Sequence, residues 1–277
     1  MSGSKFAYVK KYELPDPLLL GTYIVFRLDG HSFHRFSDEH NFTKPNDVRA
    51  LKLMDRAAEA LMEEYPDIVL GFGESDEYSF LLRKSTSLYN RRHAKVVSTL
   101  TSYFTSCYVF YWATYFPDLP MKYPPSFDGR IVLYPTPNEV RDYFSWRQAD
   151  THINNLYNTT FWALVNQGGQ TTTEAHATLR GTVSKEKNEI LFSRFQINYN
   201  DIDPRFRKGS VVVRVEVPSQ GEDGPSAVAT LGDDLPIKED KSKAEKKSKG
   251  SKTKIETLHC DIIHDDFWIQ RVGILNQ

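Results

Sequence analysis

Asp29 closes the apolar run Tyr23-Ile-Val-Phe-Arg-Leu, and Asp76 with Glu77 stands in the tight turn between two further apolar runs, Ile68 to Phe72 and Tyr78 to Leu82. If the strands these runs predict are neighbours, the carboxylates meet at one point of a sheet edge. Acids so placed suit Mg²⁺, which takes hard oxygen ligands and keeps positions for water and phosphate. Two such ions about 3.5 to 4 Å apart activate an attacking hydroxyl and neutralise a leaving group in phosphoryl transfer. The plainer reading is local, since Asp and Gly are common in turns. Two features favour the chemical one. Gly30-His-Ser-Phe-His-Arg-Phe places a small residue after the first acid, where backbone N–H groups can cradle a triphosphate. Gly73-Glu-Ser-Asp-Glu-Tyr-Ser-Phe gathers acids that repel one another unless a cation sits between them. Cations for a nucleotide tail are Lys44 in the preceding loop and Arg91, Arg92 and Lys95, although a solvated helix start explains those last three equally well.

The elements that must position these residues follow from periodicity. A strand ends at Asp29-Gly30, a helix runs from Asp47 to Tyr65 and stops at Pro66, and a hairpin follows. A long helix from about Leu88 to Tyr115, a Pro-rich connection and a strand at Gly129 to Tyr134 complete a four-stranded sheet with helices on one face. The second half is mostly helical, with helices over Glu139 to Asn166 and from Ser184. Strands at Ser210 to Val217 and Ile255 to Ile263 form a C-terminal β-hairpin, joined by residues 218–254. That join is expected to be disordered. Its lysines, from Lys238 to Lys254, suit a salt-sensitive phosphate contact, a nuclear import signal or solubility alone.

With 277 residues, 40% of them hydrophobic and 26% charged, the chain builds one large or two small globular domains rather than a disordered one. Cys107 and Cys260 allow at most one disulfide and no zinc ribbon, which fits an intracellular chain. Met1 to Lys11 carries no signal core, so a cytoplasmic or nuclear location is expected. Val96 to Phe116 is uncharged and long enough to span a bilayer, but seven Ser or Thr and four Tyr make it a buried helix of a protein without a membrane partner.

Arg27-Leu-Asp-Gly-His-Ser-Phe-His-Arg-Phe, Gly73-Glu-Ser-Asp-Glu-Tyr-Ser-Phe and Asp150-Thr-His-Ile-Asn-Asn-Leu-Tyr-Asn-Thr-Thr-Phe-Trp together closely resemble the eukaryotic tRNA-histidine guanylyltransferase family, in that family's order and over nearly the whole chain. The resemblance implies an α+β, polymerase-like palm over residues 1–137, completed by residues 138–277, in a homotetramer. It implies 3′-to-5′ addition of guanosine to tRNA-His: the tRNA 5′-phosphate takes adenylate from ATP, the GTP 3′-hydroxyl displaces AMP, and pyrophosphate is then removed. Asp29, Asp76 and the Gly30 carbonyl would hold two Mg²⁺ ions, and Asp29, Gly30, His31, Ser32, Phe33, His34, Ser75 and Asp76 would line the nucleotide, with Lys44, Arg92 and Lys95 as its cations. Glu77 joins the catalytic acids, but adjacent strand residues face opposite ways, so it acts from behind the site or as a structural acid. His152, Asn155 and Thr159 fall on one helical stripe and, with Lys187 and Asn198, are assigned to tRNA handling; a core role is the alternative for His152. His264-Asp265-Asp266 reads as a surface turn, and Trp112, Trp146, Trp162 and Trp268 as core or subunit contacts. Two alternatives stay open: a palm-type nucleotide cyclase, which would cyclise GTP without RNA, and a non-catalytic RNA-binding protein, against which the intact acid pair weighs.

Overall fold

The computed structural model describes residues 4–216 and 253–276. Six antiparallel strands form one sheet in the order β4-β1-β3-β2-β5-β6: β1 Tyr23–Gly30, β2 Ile68–Glu74, β3 Glu77–Leu82, β4 Phe127–Tyr134, β5 Ser210–Glu216 and β6 Thr253–Leu258. Alternation along β1 and β3 decides what covers each face. Ile24, Phe26, Leu28, Tyr78, Phe80 and Leu82 pack against α1 (Phe33–Glu39), α2 (Val48–Glu64) and α3 (His93–Tyr115). Tyr23, Val25 and Leu81 pack on the other side, against Val140, Tyr143 and Phe144 of α4 (Pro137–Asn166) and Phe267 and Trp268 of α8 (Asp265–Gln270). The helices of the first half therefore share one face, as expected, and the second half covers the other.

The C-terminal strands extend the same sheet, because β5 pairs with β2 (Leu70↔Val213) and buries Val211, Val212 and Val213 on both faces. The hairpin turn is shorter than expected. Pairing continues to Glu74↔Glu77, leaving only Ser75 and Asp76, with Ser75 left-handed at φ 49, so Glu77 belongs to β3 and not to the turn. The long helix starts at His93, after left-handed Tyr89, Asn90 and Arg91 interrupt the chain. α3 buries Leu100, Phe104, Tyr108 and Trp112 against the sheet, and no described helix is long and apolar enough to cross a membrane. α4 is 30 residues long. Its far end carries α5 (Thr172–Leu179) and α6 (Ser184–Phe195), and α7 (Pro204–Lys208) leads into β5. Cys107 and Cys260 are free thiols. The lysine run lies outside the described residues apart from Lys254, which pairs with Glu256 at 3.2 Å.

Candidate functional site

Register brings the expected acids to one corner. Asp29 stands directly opposite Glu77 on β3 and Asp128 on β4, and the Gly30 N–H donates to the Asp76 carbonyl at 3.1 Å. Gly30 is required for space rather than for conformation: a Cβ there would lie 2.8 Å from Asp76 Oδ2 and 2.3 Å from Phe33 Cδ2. The Asp76 carboxylate thus rests against bare backbone next to Asp29. Burial pushes its pKa up, and the Asp29 charge adds to that, while the Ser75 hydroxyl, donating to Oδ1 at 2.9 Å, opposes it. A half-buried acid crowded by a like charge fits a cation partner. Two carboxylates and a carbonyl are an incomplete set, suited to Mg²⁺ whose other ligands are phosphate oxygens and water. Among the described residues no group of three or more His, Cys, Asp or Glu side chains forms a self-sufficient metal site.

Beside this corner opens a cavity of about 400 Å³. Ser75, Asp76, Phe33 and His34 line one end, Phe42, Lys44 and Asp47 a second wall, and Tyr157, Phe161 and Trp162 of α4 with His176 of α5 the third. That volume suits a ligand of nucleotide size. The aromatic wall was not read from the sequence, where Trp162 looks like a core or subunit-contact position. Lys44 sits in the cavity with its Nζ 2.8 Å from Asp38 and 3.1 Å from Ser37 Oγ. The phosphate cradle is narrower than expected. The His31 N–H is already donated to the Ser126 carbonyl at 2.9 Å, and the Phe33 ring is buried on Phe36 and Phe127. Ser32, left-handed at φ 55, turns the chain into α1 and leaves His34 exposed at the cavity.

Arg92 and Lys95 are not brought to this corner within the chain. β3 ends at Leu82 opposite Ile24, so α3 starts beyond the far end of β1, five residues or roughly 17 Å along the strand from Asp29 at about 3.3 Å per residue. There Arg92 pairs with Asp16 at 3.4 Å, Lys95 lies over the Tyr89 ring at 5.0 Å, and the buried Arg91 guanidinium donates to the Leu19 and Thr22 carbonyls.

Glu77 is also elsewhere occupied. Its carboxylate accepts from Arg147 of α4 at 3.1 and 3.2 Å and lies 3.7 Å from Arg27, on the sheet face away from Phe33; it is a structural acid held by guanidiniums. Burial raises its pKa, and both arginines pull it back. Neither Arg147 nor Glu74 was singled out from the sequence, although Arg147 is one turn from both Tyr143 and Thr151 on the buried stripe of α4. Burial pushes Glu74 up to about 7, with the charges of Glu77 and Asp150 adding to it. A carboxyl raised in the folded state binds more protons there than in the unfolded chain. Stability present below the ordinary glutamate range is therefore lost as pH climbs through about 7. Glu74→Gln is expected to flatten that slope and to raise stability at pH 8 by at most about 3 kcal/mol, seen as a higher thermal midpoint, with little change at pH 4. Thermal melts across pH check this, and an unchanged slope contradicts the assignment.

The residues assigned to RNA separate into two groups. His152 is exposed and shares a surface depression with Lys185, Asn188 and Asn198; burial against its neighbours lowers its pKa, and Arg207 adds to this. Asn155 is buried instead, accepting from Asn46 at 2.9 Å and donating to the Tyr199 hydroxyl at 3.0 Å, which braces α4 against the Lys44 loop. Thr159 is buried too. Lys187 turns back to the Thr182 carbonyl at 2.6 Å, away from the depression. Residues sharing a stripe along the sequence thus divide between the rim and the interior, because neighbouring helices cover α4 unevenly. His264 bonds Asp261 at 2.9 Å at the surface, as expected, but Asp265 and Asp266 open α8 rather than a turn. Trp112 and Trp268 are core residues, whereas Trp162 lines the cavity and the exposed Trp146 ring stacks on Arg147 at 3.4 Å.

Comparison with known proteins converges on one family. Residues 6–135 match a family model described as tRNAHis guanylyltransferase, and residues 138–264 match the Thg1 C terminal domain. The tRNA(His) guanylyltransferase of Neurospora crassa is 51% identical over 283 aligned residues, covering 100% of this chain and 97% of its own length. The crystal structure of the Saccharomyces cerevisiae enzyme superposes with a TM-score of 0.73 at 52% identity, over 76% of this chain and 93% of that one. A bacterial guanylyltransferase-like protein in complex with ATP shares the fold, with a TM-score of 0.62 at 24% identity over 74% of this chain and 85% of its own.

Proposed function

The chain belongs to the tRNA(His) guanylyltransferase family, and from that premise we propose that it adds a guanosine, 3′ to 5′, to the 5′ end of tRNA-His, with ATP and GTP as its nucleotides. The observation that carries this reading is the corner itself: Asp76 resting on the bare backbone of Gly30, beside Asp29, at the mouth of a cavity of nucleotide size. Asp29, Asp76 and the Gly30 carbonyl hold two Mg²⁺ ions. Bound there, the ions make a hydroxyl a better nucleophile and neutralise charge on a leaving group.

In the first displacement a 5′-phosphate oxygen of the tRNA attacks the α-phosphorus of ATP, and pyrophosphate leaves. In the second the 3′-oxygen of GTP attacks the activated 5′-phosphorus, and AMP leaves. Pyrophosphate is finally removed from the new end. Asp29 and Asp76 would serve both displacements by placing the cations that draw the reacting phosphates to one corner, and Lys44 offsets triphosphate charge. The α4 and α5 aromatic wall supplies apolar surface for a base. His152 and Asn198 contact the RNA, while Arg92 and Lys95 have no part in this cavity within one chain. A homotetramer accords with the resemblance and with the large apolar side chains a single chain exposes, Tyr12, Leu14, Leu20 and Phe110. The tRNA substrate and the free thiols favour action in the cytoplasm, the nucleus or both.

A tRNA bearing a 5′-triphosphate already carries a leaving group, so GTP and Mg²⁺ alone are expected to extend it. Lys44→Ala should slow the monophosphorylated substrate more than the triphosphorylated one. Continued absolute need for ATP on the triphosphorylated tRNA would refute the activation step, and cyclic nucleotide from GTP alone would indicate a cyclase.

A further inference from the structure

Arg147 sits on α4, in the second half of the chain, yet its guanidinium lies over the turn that carries Asp76. It is 5% exposed. Its Nη1 reaches both Glu77 oxygens at 3.1 and 3.2 Å and lies 3.9 Å from Glu74, its Nη2 is 3.5 Å from Asp150, and its plane rests on the Trp146 ring at 3.4 Å. Glu74 ends β2, Glu77 begins β3, and only Ser75 and Asp76 lie between them. One side chain from another element therefore grips both ends of the two-residue turn.

We propose that Arg147 is a positioning residue, which fixes the Ser75-Asp76 turn from α4 and so sets the place of the Asp76 carboxylate. The inference rests on Asp76 being a metal-holding acid, as proposed above. The two nitrogens divide the acids between them, Nη1 taking both Glu77 oxygens and facing Glu74 while Nη2 faces Asp150, a reach that a single ammonium cannot cover. Loss of that reach frees the strand ends beside Asp76, which Arg147 otherwise ties to α4. Partners that orient a metal-holding group typically carry ten- to hundredfold effects on metal affinity or turnover.

The test is Arg147→Lys, which keeps the charge and removes the two-nitrogen reach, with Mn²⁺ binding followed by electron paramagnetic resonance in the presence of GTP. Expected are a thermal midpoint within a few degrees of wild type, Mn²⁺ affinity lowered about tenfold, and kcat lowered about a hundredfold with the tRNA KM unchanged. Wild-type Mn²⁺ affinity and kcat in this variant would overturn the proposal, as would losses that merely track the fraction unfolded. Should the lysine variant fail to fold, Arg147→Met with Glu77→Met replaces the buried pair by apolar groups of similar volume. That double variant should fold and still bind Mn²⁺ weakly, and wild-type affinity in it would count against the clamp. Absence of Mn²⁺ binding in the wild type would instead overturn the reading of the corner on which the inference rests.

Discussion

Asp29→Ala and Asp76→Ala are each expected to lower both displacements, adenylate transfer to the tRNA and attack by the GTP 3′-hydroxyl, by at least about a thousandfold. The reason is geometric. The Gly30 N–H bonds the Asp76 carbonyl at 3.1 Å, so the strand end and the turn make one corner, and both displacements depend on the same two acids. Affinity for tRNA should change by less than about threefold, because the side chains assigned to RNA lie along α4 and beyond. Single-turnover assays on 5′-monophosphorylated and 5′-triphosphorylated tRNA separate the two displacements. A variant that keeps the wild-type rate of either one shows that they do not share a site.

Gly30→Ala is the second large effect. The added Cβ would meet the Phe33 ring at 2.3 Å and Asp76 Oδ2 at 2.8 Å. The ring cannot yield readily, since Phe33 packs 4.9 Å from Phe36, 5.2 Å from Phe127 and 5.9 Å from Tyr108, centroid to centroid. The carboxylate or the end of β1 must move instead. Overpacking of this kind costs about 1 to 3 kcal/mol. The displaced acid should cost activity about a hundredfold or more, since misplacement by about 1 Å is enough for a loss of that size. Thermal unfolding and turnover measured on the same preparation check both, and a variant with near-normal turnover would show that the close approach at Gly30 does not matter to the chemistry.

The sequence shows the acidic corner more clearly than what surrounds it, and the difference has physical causes. Period-two runs and turn residues are local signals, so β1, the two hairpin strands and α2 are legible to within a few residues, the exact extent of the turn aside, with Asp47 and Pro66 bracketing α2. Strand direction is not local. Arg92 and Lys95 look like partners for a triphosphate in a linear reading, but β3 carries the chain away from Asp29 before α3 begins. The pairing of β5 with β2, which makes one sheet of the two halves, leaves no mark in either strand beyond apolarity on both faces. Arg147 illustrates the same limit. A lone arginine on a helix reads as solvated, and only the packing of α4 on the sheet shows it buried over Glu74 and Glu77. Asn155 errs in the opposite direction: polar and on a stripe with His152, it is spent on Asn46 and Tyr199.

The most direct test is end-group analysis of 5′-phosphorylated tRNA-His incubated with the protein, Mg²⁺, labelled ATP and GTP, sampled through one turnover. The account predicts label from ATP first, as adenylate joined to the 5′-phosphate, then its loss as one guanosine appears ahead of the original end. Guanosine addition with no adenylylated intermediate at any time, or no change at the RNA 5′ end, would contradict it.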